Sequence, residues 1–179
     1  MPKTTHQIVL VLADSWSSGQ ARLARFQRGD KGPWKRVGNP VDVVLGASGL
    51  GWGAGLHPAQ NGPRKQEGDG RSPAGVFRIS EALGYDRVAP ATRLPYRAIT
   101  PRLRCVDDPR SKAYNQLLEE PEGANRLWQS AERMRRDDEL YARVVVIAHN
   151  AGPVVAGQGS CIFLHVWGGP QTRTSGWLR

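Results

Sequence analysis

Ile8-Val9-Leu10-Val11-Leu12-Ala13 is a β-branched apolar run closed by a turn cluster, Asp14-Ser15 and Ser17-Ser18-Gly19. It reads as a buried strand. Outward from it, Ala21–Arg28 supplies a partner that stops at Gly29-Asp30-Lys31-Gly32. Trp34–Val37 and Val41–Leu45 read as two further strands, parted by Gly38-Asn39-Pro40. Four short strands bounded by turn residues predict an antiparallel meander, and with it a β fold.

The middle of the chain differs. Between Gly46 and Gly75 lie nine glycines and three prolines, a density that marks a long functional or mobile loop. Val76–Ile79 then resumes a strand, and Cys105–Asp108, set between Pro101 and Pro109, is a short extended piece. Two helices are expected, over Ser111–Leu118 and over Ser130–Tyr141. In the second, Ser130 is a capping residue and Ala131, Met134, Asp138 and Tyr141 share one face. Arg143–His149 and Cys161–Trp167 read as strands. The expectation is a mainly β chain with a few helices (α+β), residues 1–179 forming a single domain.

Composition sets the outer limits. A chain of 179 residues is long enough to bury a core without staples. Its 21 glycines and 13 prolines argue against a helical bundle, and six tryptophans with long aliphatic runs argue against disorder. The net charge of +9 suits polyanionic surroundings such as nucleic acid, anionic lipid or an acidic wall polymer. The basic residues are scattered, however, so a solvated basic surface is the plainer reading and nucleic acid is not expected. No apolar run approaches the roughly 20 residues of a membrane span, and no export signal is legible. Cys105 and Cys161 show no metal-ligand spacing; they read as buried thiols or as one disulfide. Neither a metal nor a cofactor is expected.

On the last strand, Cys161, Phe163, His165 and Trp167 point one way while Ile162, Leu164 and Val166 point the other. His165 is thus a titratable group embedded in a central apolar strand. Alone it would be a hydrogen-bonded structural residue. Gly168-Gly169-Pro170 and the following Thr174-Ser175-Gly176 change the reading, because a turn back to a Ser-Gly pair sets a base beside a nucleophile position and backbone N–H donors. Cys161 lies four residues before His165, roughly 13 Å along a strand, which is beyond hydrogen-bond reach. His6 and His57 read as exposed and without a role, and His149 as a structural hydrogen-bonder first. Glu67–Arg71 holds a G-x-G without the strand and helix that a nucleotide loop requires.

Glu67-Gly68-Asp69-Gly70-Arg71-Ser72-Pro73-Ala74-Gly75-Val76-Phe77 resembles the E-G-D-G-R-T-P-x-G-x-F signature of a branch of L,D-transpeptidases with the YkuD-type catalytic domain. Cys105–Pro109, Tyr114-Asn115, Met134–Tyr141, His149-Asn150, Gly159–Trp167, Gly169-Pro170 and Thr174-Ser175-Gly176 match in the same order, from about Gln7 to Gly176. The resemblance implies a β-sandwich of two packed sheets and a cysteine acyl-enzyme that cross-links or edits peptidoglycan in the periplasm or cell envelope. Its thiolate attacks a stem-peptide carbonyl, D-alanine leaves, and an amine or water resolves the thioester. On this pattern His165 is the general base, Gly176 precedes the nucleophile, and Ser175 stands where many relatives have a second histidine. Arg71 would pair with a stem-peptide carboxylate, or is a solvated turn residue; His149, Asn150 and Trp167 would also meet substrate.

The departure falls on the nucleophile. The family's cysteine corresponds to position 177, which here is Trp177, and the sequence stops at Arg179 where relatives continue through another strand. An indole has no nucleophilic atom to form an acyl-enzyme. The expectation is an L,D-transpeptidase-type domain that is inactive as written, the alternatives being a non-catalytic peptidoglycan-binding module and, last, a basic nucleic-acid binder.

Overall fold

The computed structural model describes residues 4–123, 126–169 and 172. Ser175, Gly176 and Trp177 lie outside these residues. The regular structure of the described chain is nearly all β: β1 (Gln7–Leu12), β2 (Gln20–Gln27), β3 (Lys35–Val44), β4 (Leu50–Trp52), β5 (Ser72–Ala74), β6 (Ile79–Gly84), β7 (Tyr96–Ala98), β8 (Leu103–Val106), β9 (Leu117–Glu119), β10 (Ala131–Arg133), β11 (Arg143–Ile147) and β12 (Phe163–His165). They form sheets ordered β1-β2-β3, β4-β5, β12-β11-β6-β7 and β10-β8-β9. Among the described residues, one turn of 3-10 helix, Glu139–Tyr141, is the only helical element.

The meander is present, with two corrections. β1 is not buried: Leu12 is 62% exposed, and Val9 and Leu10 are exposed too. It is an edge strand whose inner face meets only the small cluster of Ala21, Leu23, Val43 and Leu45. The two strands expected at Trp34–Val37 and Val41–Leu45 are one strand, β3, running through Gly38-Asn39-Pro40. The ladder shifts register between Leu23 and Arg25, and Gly38 at φ 70° absorbs the irregularity. Because β3 is also an edge, Pro40 is tolerated there.

Neither expected helix forms. In Ser111–Leu118, Asn115 takes a left-handed conformation (φ 62°) and Leu117 enters β9 to pair with Cys105. In Ser130–Tyr141, Ala131–Arg133 pairs with Arg104–Val106 on β8, and Asp138, not Ser130, caps a helical turn by accepting from Leu140 N–H. Met134 and Tyr141 are buried anchors on an extended path that happen to fall at helical spacing. Strand pairing outweighed propensity. The Gly-rich segment holds one regular feature, the parallel β4–β5 pair.

The larger core gathers Leu83, Ile99, Leu103, Met134, Tyr141, Val144 and Phe163 around the two cysteines. β12 is shorter than expected and ends its sheet instead of lying centrally. Its alternation does hold: Phe163 and His165 both meet Tyr141, while Leu164 packs on the meander's cluster. One three-residue strand thus joins the two cores.

Candidate functional site

His165 is only 5% exposed, and its ring stands edge-on to Tyr141 at 4.9 Å. Nδ1 faces two carbonyl oxygens, Val166 at 2.9 Å and Leu140 at 3.2 Å. Carbonyls only accept, so Nδ1 carries a proton; whenever the ring is neutral, the lone pair is then on Nε2. That is the tautomer a general base requires. Trp167, two residues on, is exposed and borders a cavity of about 310 Å³ with Leu12, Asp14 and Arg22.

The residues that seat β12 come from far apart in the sequence. Cys161 is bonded to Cys105 on β8. The Cys161 N–H donates to Asn115 Oδ1 (2.8 Å), while Asn115 Nδ2 donates to the carbonyls of His149 (3.0 Å) and Asn150 (2.9 Å). Ser160 Oγ donates to Glu67 Oε2 (2.6 Å), which also accepts from the Tyr114 hydroxyl. Burial and the Glu67 carboxylate both raise the Tyr114 pKa, so its hydroxyl stays a donor. The described non-glycine residues with positive φ are Asn115, Asn150 and Cys161, and all three meet here. Asparagine tolerates that conformation; cysteine does so only under restraint, which the disulfide and the Asn115 bond supply.

The Glu67–Phe77 segment is a loop folded about its own acid. Asp69 accepts from Gln66 N–H (2.7 Å), Arg71 N–H (2.9 Å) and the buried Lys65 ammonium (2.5 Å). Arg71 Nη1 donates to Leu50 O at 2.6 Å, so this guanidinium braces β4.

His149 is a second buried imidazole, 2% exposed. Its Nδ1 accepts from Ala54 N–H (3.3 Å) and its Nε2 donates to Gln158 O (2.9 Å), the opposite tautomer to His165. Burial lowers its pKa to about 4, with nearby Lys65 adding to the effect. Gly53 is required beside it, since a Cβ there would lie 2.7 Å from His149 Nδ1. Asn150 is equally committed, donating to Val155 O and Gly159 O and accepting from Val155 N–H. Of the residues expected to meet substrate, Arg71, His149 and Asn150 therefore hold the scaffold with their side chains, and Trp167 is the exposed one.

Beside His149 opens a cleft of about 970 Å³, bordered by Trp52, His57, Arg64, Arg78, Ser80 and Gln158 among others. His57, expected to be without a role, lies between Trp52, to which it is tilted, and Phe77, to which it is edge-on, and accepts from Val76 N–H (3.1 Å). The cleft lies at the end of β11 opposite to His165, which pairs with Val144. Sequence reasoning missed this cleft and the roles of Glu67, Tyr114 and Asn115; for the last three the signal was their membership of the ordered motif set.

No family model, curated protein or solved structure matches the chain. Among the described residues no cluster of His, Cys, Asp and Glu could hold a metal ion, and no helix is long and apolar enough to cross a membrane.

Proposed function

We propose that the chain is an L,D-transpeptidase-type domain for peptidoglycan stem peptides, a β-sandwich whose acyl-transfer step is silent for want of a sulfur. The observation that carries this reading is the convergence of Glu67, Tyr114-Asn115, His149-Asn150 and Ser160-Cys161 at the root of the strand bearing His165. A buried disulfide also favours an oxidising compartment, in keeping with the periplasm or cell envelope.

In the full reaction Nε2 of His165 takes the thiol proton, the thiolate attacks the stem-peptide carbonyl, and the imidazolium returns the proton to departing D-alanine. Both native cysteines are bonded to each other and Trp177 offers no nucleophilic atom, so none of these three residues supplies the thiol that these steps need. The alternative, a binding module that retains stem peptides without turning them over, is favoured by the same loss; it requires saturable sedimentation of the chain with purified sacculi.

Trp177→Cys tests the reading, because the introduced thiol is then the one free thiol. Alkylation by iodoacetamide is expected to proceed near pH 6, well below the ordinary thiol pKa of about 8.5. The additional change His165→Asn should return it to that value, and D-alanine release from a tetrapeptide should follow the same pattern. A folded variant whose thiol titrates at about 8.5 with or without His165 would refute the proposal.

A further inference from the structure

We infer that the cleft at the His149 end is a binding site for an anionic oligosaccharide, distinct from the stem-peptide site and independent of it. Its volume, about 970 Å³, is at the upper end for small-molecule sites and fits an oligomer better than a single small ion. Its lining includes no aspartate or glutamate. Arg64 and Arg78 both border it, both are exposed, and among the described residues neither forms an ion pair; Lys65, the remaining cation, is held by Asp69. Two unmatched guanidiniums facing one space with no acid present call for ligand anions, carboxylate or phosphate, which arginine grips in bidentate fashion.

The rest of the lining speaks for sugar. Trp52 and His57 both line the cleft, and an indole is the kind of flat apolar ring that the C–H face of a pyranose covers. The carboxamides of Gln66 and Gln158 supply uncharged donors and acceptors for hydroxyl groups. The wall is braced from behind: the lining rings of Trp52 and His57 belong to a continuous chain of ring contacts with Trp16, Phe77 and His149, each 5.1–5.9 Å apart. A preformed wall lowers the ordering cost of binding.

The test uses the full chain at about 0.15 M salt, where weak non-specific attraction is screened. The probe is an oligogalacturonate, followed by tryptophan fluorescence and calorimetry. Its methyl ester keeps the sugar without the charge, and an oligoglutamate keeps the charge without the sugar. Saturable binding of the oligogalacturonate is expected, with each of the other two roughly ten-fold weaker or worse. Arg64→Ala and Arg78→Ala should each weaken it roughly ten-fold, while Arg22→Ala and Arg36→Ala on the meander change it less than about two-fold. Circular dichroism and melting are the controls that these exposed substitutions leave the fold intact. Absence of saturable binding, equal binding of oligoglutamate, or equal loss from any arginine would each overturn the inference, the last two assigning the effect to net charge alone.

Discussion

Two buried histidines sit at opposite ends of the paired strands β11 and β12, and their surroundings are nearly inverse. At the His149 end the ring is closed in function: each nitrogen has a backbone partner, and burial keeps it neutral to about pH 4. An open cleft nevertheless lies alongside. At the His165 end the ring is packed against Tyr141, and its Nδ1 faces the carbonyl oxygens of Leu140 and Val166. Burial alone therefore says little about a histidine's role. Which nitrogen the fold has committed says much more.

Removing the clamp between the ends should have the largest effect. Cys105→Ala with Cys161→Ala opens a crosslink spanning 56 residues and should cost roughly 2–5 kcal/mol in chemical denaturation. Amide exchange in the same variant sharpens the contrast: protection should fall first around β12 and β8. An equal fall across the meander would mean that the clamp does not act locally.

Acid should separate the histidines next. The folded pKa of His149 lies below its unfolded value of about 6.5, so between about pH 4 and 6.5 the unfolded chain binds the extra proton. Its contribution is complete above pH 6.5 and lost as the pH falls through 4, at most about 3 kcal/mol. His149→Gln should flatten that part of the stability–pH curve, whereas His165→Asn should leave the His149 component in place. A curve unchanged by His149→Gln would mean that the ring is not held neutral by burial.

Tyr114→Phe removes one donor from Glu67 and should cost about 1–2 kcal/mol, read as a lower denaturation midpoint with an unchanged slope. Smallest of all, Leu12→Thr on the exposed edge strand should shift stability by no more than about 0.5 kcal/mol. A larger loss there would mean that β1 is covered.

Much of the strand content was legible because it rests on local pattern: the apolar runs at Ile8–Ala13 and Arg143–His149 became β1 and β11, and the alternation in Cys161–Trp167 correctly put Phe163 with His165. What failed was decided by partners distant in the chain. Met134 and Tyr141 have helical spacing but are buried by β8 and β12, and Asn115 breaks a helix to serve carbonyls 34 and 35 residues away. At the candidate site, His165 stood out as a lone polar residue in an apolar strand. His149 and Asn150 end an apolar strand in the same way, but no local feature distinguishes a side chain that meets a ligand from one that braces a loop. The cleft was illegible for a similar reason, since its walls come from four separate stretches of chain.

Imidazole nitrogen shifts, from long-range proton–nitrogen correlation on the labelled full chain near neutral pH, test the inverse pair most directly. The account predicts His149 protonated on Nε2 and His165 protonated on Nδ1. His165 carrying its proton on Nε2, or both rings showing one tautomer, would contradict the general-base role proposed for His165.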